Sequence, residues 1–136
     1  ALGLAARRGR RAPLTLYHGT SSTLASEIAR RGLCGHYVYL GIVDVADYYA
    51  EAVVDEVGGS EAVFVVEVPR NLQSRLEPDY GGIEEPLTYT LGKSEEVIWE
   101  EWDASAQTWE DSLRIIGSVR LKLDSGCVPP SYVREA

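Results

Sequence analysis

The sequence predicts a small α+β domain. Three observations carry this expectation. The chain has 136 residues, which is room for one domain. Apolar runs of strand length alternate with segments of helical period, in the order strand, helix, strand, helix, strand, loop, helix, strand. Neither Gly-x-Gly-x-x-Gly nor a phosphate-loop signature occurs, which sets aside a doubly wound nucleotide fold. Residues 1–12 read as a flexible basic N-terminal arm, and 13–136 as the single domain.

The elements follow in order. Leu14 to Tyr17 reads as a strand running into His18-Gly19-Thr20. Ser21 or Ser22 can cap a helix with Leu24, Ala25 and Ile28 on its apolar face. Arg30 and Arg31 suit the negative end of its dipole, and Gly32 stops it. Tyr37 to Leu40 is a second strand. Asp44 is the expected cap of a helix whose face is Ala46, Tyr49, Ala50, Val53 and Val57. Ala62 to Val68 is β-branched and nearly unbroken, the mark of a buried interior strand. Pro69 to Gly92 reads as a long irregular segment, of the kind that is functional or carries short elements of its own. Glu95 to Trp102 fits strand or helix. Ala104 to Ile116 reads as a helix and Ser118 to Leu123 as a strand. Asp124-Ser125-Gly126 is a turn, and Pro129-Pro130 opens a final one.

Composition narrows the function. The chain is 45% hydrophobic and 25% charged, an ordinary globular balance. It holds no apolar run long enough to span a membrane. The arginines of the N-terminus follow its short apolar start, which is the wrong order for a signal peptide. The net charge of −8 argues against a general nucleic-acid binder, because phosphate repels such a surface. Arg7, Arg8, Arg10 and Arg11 concentrate positive charge in the arm, a solvated surface or a contact for an anionic ligand or RNA. Cys34 and Cys127 show no metal spacing, so the default is two free thiols in a reducing cytoplasm, with no bridge demanded. His18 and His36 cannot build a histidine-rich metal site alone, and no metal is expected.

The candidate chemistry lies in Leu16-Tyr17-His18-Gly19-Thr20, Tyr37-Val38-Tyr39-Leu40 and Ala46-Asp47-Tyr48-Tyr49. A strand ending in His-Gly-Thr exposes backbone donors and acceptors at a cleft edge, and these suit a planar amide. The imidazole can hydrogen-bond a ribose hydroxyl. An aromatic ending a second strand, with another on the next helix, makes a slot for a flat heterocycle. A positively charged ring gains cation–π energy there. Each residue alone reads as an ordinary turn or packing residue. Their order and spacing together carry the functional reading.

That combination resembles the ADP-ribosyltransferase superfamily. The resemblance covers Leu14 to Val68 well, the final strand moderately, and Pro69 to Trp109 hardly at all. It implies a split mixed β-sheet core with flanking helices. It implies NAD as co-substrate, with His18 on the nicotinamide ribose and the Gly19 backbone on the carboxamide. Thr20 and Leu40 belong to the same binding set. Tyr39 matches the stacking aromatic of the second strand. Tyr48 or Tyr49 matches the second stacking tyrosine, with Tyr49 sharing a face with Ala46 and Val53.

The chain departs from the family at the third motif. The glutamate expected at the start of the late strand falls at Gly117 or Ser118. Glu110 and Asp111, just upstream, are the candidate catalytic carboxylates, with Glu95 and Glu96 as alternatives. The resemblance therefore implies transfer of a single ADP-ribose to a macromolecular acceptor; the acidic surface favours a protein over nucleic acid, and the cysteines favour the cytoplasm. Leu16 to Thr20 and Val128-Pro129-Pro130-Ser131-Tyr132 are also similar to RNA 2'-phosphotransferases, which makes that activity the alternative. A module of the same fold that only binds NAD, ADP-ribose or a partner protein is another. The exposed-interface reading of Trp99, Trp102 and Trp109 favours the module, and their core-packing reading does not.

Overall fold

The computed structural model describes residues 14–136. The arm expected over 1–12 lies outside the described residues. The elements are β1 (Leu14–Ser21), α1 (Ala25–Arg31), β2 (Leu33–Cys34), β3 (Tyr37–Gly41), α2 (Val43–Val57), β4 (Glu61–Val68), α3 (Arg70–Gln73), β5 (Leu76–Pro78), α4 (Tyr80–Glu84), α5 (Thr88–Leu91), α6 (Glu95–Asp103), α7 (Trp109–Ile116), β6 (Ser118–Lys122), β7 (Cys127–Val128) and β8 (Val133–Glu135). Helices therefore flank a sheet, as the patterning predicts.

Six strands form one sheet in the order β5-β6-β3-β1-β4-β8, and β2 pairs with β7 in a second, two-stranded one. The sheet is antiparallel, not mixed: every neighbouring pair runs in opposite directions. The reason is the crossover through α2. It links β3 to β4, which run the same way but are separated by β1, so the alternation survives. The sheet is also split. β1 pairs with β4 along its whole length, from Leu14↔Val68 to Ser21↔Glu61. With β3 it shares the single pair Tyr17↔Gly41. The two halves part at that point.

Two glycines set the packing beside the split. A Cβ on Gly19 would lie 1.8 Å from the Ala46 carbonyl oxygen of α2. The helix backbone thus rests directly on β1. A Cβ on Gly41 would lie 2.3 Å from the Gly117 carbonyl oxygen, so β6 enters hard against β3.

The main core lies on the sheet around Leu16, Val38, Leu40, Phe64, Val66 and Leu121. Burying each such side chain contributes about 1.5–3 kcal/mol relative to exposure. A second core joins α4, α6 and α7 through Ile83, Ile98, Trp102, Ile115 and Ile116. Trp102 is buried there and Trp99 packs against it, while Trp109 packs against the main core. The tryptophans are thus packing residues.

Several local expectations are corrected. Asp44 does not cap α2: the N-cap is Ile42, and Asp44 sits in the first turn, where its charge still favours the dipole. Leu24 and Val57 end up exposed, because each sits where its helix frays from the sheet. Ala104 does not begin a helix, because Thr108 caps α7 at Trp109. The Pro69–Gly92 segment holds three short helices and the edge strand β5. Glu95 to Asp103 is a helix, capped by Ser94. Cys34 and Cys127 are bridged, not free, because the β2–β7 register sets them opposite each other. The bridge removes the premise from which a reducing compartment was inferred. No helix among the described residues is long and apolar enough to cross a membrane.

Candidate functional site

The split opens into a cavity of about 880 Å³. One wall comes from β1, β3 and α2, through His18, Gly19, Tyr39, Leu40, Tyr48 and Tyr49. Six of the seven binding positions named from the sequence therefore line this cavity, Thr20 being the exception. Thr20 is buried and lines a smaller cavity of about 290 Å³. That smaller cavity also holds Glu27, Arg31 and Leu33, and it shares His18 with the first.

His18 sits at the junction. Its Nδ1 lies 2.8 Å from the Tyr39 carbonyl oxygen, across the split. A carbonyl only accepts, so Nδ1 carries the proton and Nε2 is left as an acceptor when the ring is neutral. Burial holds the imidazole below its ordinary pKa, against the smaller opposite pull of the Tyr39 carbonyl. The ring is therefore a neutral, oriented acceptor at pH 7.

The tyrosines differ in setting. Tyr39 and Tyr48 are 46% and 44% exposed, and Tyr49 is half-buried. The Tyr48 and Tyr49 rings meet edge to face at 5.7 Å. Burial, with the Asp79 charge second, pushes the Tyr49 hydroxyl up to about 12, so it remains a proton donor across the physiological range.

The opposite wall holds the residue that sequence reasoning missed. Asp79 lines the cavity and is 3% exposed. Its Oδ2 accepts from the Ser118 hydroxyl at 2.7 Å and its Oδ1 from the Gly82 N–H at 3.0 Å. Ser112 completes the network, accepting from the Asp79 N–H at 3.0 Å and donating to the Ser118 carbonyl at 2.7 Å. A Cβ on Gly82 would meet Asp79 Oδ2 at 2.7 Å, so the glycine makes room for the carboxylate. Ser118 is one of the two late-strand positions, with Gly117, at which the sequence offers no carboxylate. A carboxylate does reach it, but from the N-cap of α4. The available signal was Asp79 three residues before Gly82, a helix-capping pattern inside a segment read as loop.

Glu110 and Asp111 do not line either cavity. Because α7 starts at Trp109, both fall in its exposed first turn. Asp111 closes a capping box with Thr108 and pairs with Arg114 at 3.1 Å. The Arg114 and Thr108 hydrogen bonds hold its carboxyl below the usual range. Glu95 does line the main cavity, with Glu84 and Glu85. Its described lining thus carries four carboxylates and no Lys or Arg.

The wall bearing Asp79 is tied to the sheet next to it. The Arg120 guanidinium stacks on Tyr37 at 4.2 Å and on Tyr80 at 5.0 Å, and its Nε donates to Glu77 at 2.8 Å. Among the described residues no group of three or more His, Cys, Asp or Glu is placed to hold a metal ion. No protein-family model matches the chain, and no curated protein matches its sequence.

Proposed function

We propose that this chain is an NAD-dependent mono-ADP-ribosyltransferase. The observation that carries the reading is His18, kept neutral by burial and oriented at the split by the Tyr39 carbonyl, between two cavities. A dinucleotide has two unlike ends, and His18 stands where the two spaces meet. The larger space has tyrosine walls for a flat heterocycle. The smaller has Arg31, ion-paired with Glu27 at 3.2 Å and able to turn to a diphosphate.

NAD supplies the ADP-ribose, with nicotinamide as the group that leaves. The chain's own residues do the rest. Tyr39 and Tyr49 flank the nicotinamide, with Tyr48 at the rim. The Gly19 backbone takes the carboxamide, since β1 is free of β3 beyond Tyr17. His18 Nε2 accepts from a ribose hydroxyl. Asp79, held by neutral donors, offers negative charge where the ribosyl carbon becomes positive, and takes the acceptor's proton as its nucleophile bonds to that carbon. This is the role that Glu110 and Asp111 cannot fill from the far end of α7.

The four carboxylates of the lining weigh against 2'-phosphate removal from RNA, whose phosphates they repel. Asp79 also favours a transferase over a module that only binds, because it sets a fixed carboxylate in the same cavity as the tyrosines, where a transfer reaction can use it. The test is release of free nicotinamide from NAD, followed with and without cell lysate. Lysate-dependent release that labels a protein supports the proposal. No release, together with removal of phosphate from a 2'-phosphorylated oligonucleotide, replaces it with the RNA reaction.

A further inference from the structure

We propose that the Cys34–Cys127 bridge is a redox switch on the smaller cavity, so that a dithiol reductant weakens dinucleotide binding there. The proposal rests on the dinucleotide reading above.

The second sheet is short. β2 and β7 share only the pairs Leu33↔Val128 and Cys34↔Cys127. Two pairs are too few to hold a two-stranded sheet without help. The bridge joins positions 93 residues apart and closes this strap. The strap is also a wall: Gly32, Leu33 and Cys34 line the smaller cavity. Gly32 follows directly on Arg31, the cation of that cavity, and its N–H caps α1 on the Ile28 carbonyl at 2.7 Å. A Cβ on Gly32 would lie 1.8 Å from the Val128 carbonyl oxygen, so the end of α1 is packed against β7. The position of Arg31 thus depends on β7, which is held by the burial of Val128 and by the bridge together.

Cys34 is exposed, so a dithiol can reach the bridge. Its thiolate attacks one sulfur, the S–S bond breaks, and the mixed disulfide resolves by attack of the second reductant thiol. Two electrons and two protons pass to the chain, which gains two thiols, and the reductant leaves as its own disulfide. Leu33 and Val128, the inner pair of the strap, are buried in the main core, which keeps the domain folded on reduction. What loosens is the outer, exposed edge of the strap at Cys34 and the end of α1 beside it.

The experiment titrates ADP-ribose into the oxidised chain, into the chain after dithiol treatment, and into a Cys34→Ser/Cys127→Ser double variant. Thiol titration confirms the reduction, and circular dichroism confirms the fold. Amide hydrogen exchange is read over residues 24–34. The expected result is a Kd weaker by roughly fivefold or more on reduction, the lower range of ordinary coupling between sites. The double variant binds like the reduced chain and ignores dithiol. Equal Kd values in both states overturn the switch and leave the bridge a structural staple, as does global unfolding on reduction. If neither state binds ADP-ribose, the dinucleotide reading fails by itself. The switch is then judged on exchange alone: faster exchange over 24–34 on reduction supports it, and unchanged exchange overturns it.

Discussion

The two walls of the cavity are built differently. Residues 14–68 form β1 to β4 with the short α1 and the 15-residue α2, packed on the larger core. They contribute flat rings, a neutral imidazole and strand backbone. Residues 69–117 form short helices and an edge strand, packed partly on a core of their own and partly, through Leu76, Trp109 and Leu113, on the main one. They contribute carboxylates. The first wall is shaped to receive a ligand, and the second carries the charge that would act on it. Each depends on a close backbone approach, at Gly19 in one and Gly82 in the other. The comparison teaches that the aromatic wall and the acidic wall come from different stretches of the chain, so substitutions can address each in turn.

On the first wall the largest effect is that of His18. His18→Ala removes the oriented acceptor, and nicotinamide release should drop by about 100-fold or more, the size of effect that lost positioning produces. An unchanged rate would detach His18 from the site. Gly19→Ala comes next. Its methyl has no room against the Ala46 carbonyl, and overpacking of this kind costs about 1–3 kcal/mol. Denaturant unfolding measures the loss. NAD affinity should fall with it, because α2 carries both candidate stacking tyrosines.

The third prediction concerns pH. The folded pKa of His18 is lowered below 6.5, so the unfolded chain binds this proton first as pH falls. The His18 contribution to stability is fully present above pH 6.5 and declines from there down to the native value. His18→Gln should flatten that part of a stability-against-pH curve, and an unaltered slope would mean another group is responsible. The smallest effect is on the second wall, away from the cavity. Thr108→Ala removes the cap of α7 and should cost about 1 kcal/mol of stability, with nicotinamide release unchanged.

Legibility divides along the same line. β1, β3, α2 and β4 were readable because period and length agree over five or more residues. β5 has three residues and ends in proline, so it shows no period at all. The α6 run Val97-Ile98-Trp99 looks like a strand, and its helix is declared only by the Ser94 cap and the acids after it. The recognising residues of the site lie in the readable half, where they could be named in advance. Asp79 lies in the other, where its approach to Ser118 is a tertiary contact across 39 positions. The Cys34–Cys127 bridge has the same character. No local pattern announces a partner so far along the chain.

The most direct measurement compares nicotinamide release by the purified chain, by Asp79→Asn and by a Glu110→Gln/Asp111→Asn double variant. Asp79→Asn keeps the shape, one oxygen to accept from the Gly82 N–H and an amide NH2 that can donate to a turned Ser118 hydroxyl, while removing the charge. The account predicts a loss of about 100- to 1,000-fold for Asp79→Asn, the usual size for a lost electrostatic partner of a transition state. It predicts no change for the double variant. Full activity in Asp79→Asn, or loss in the double variant alone, would contradict it.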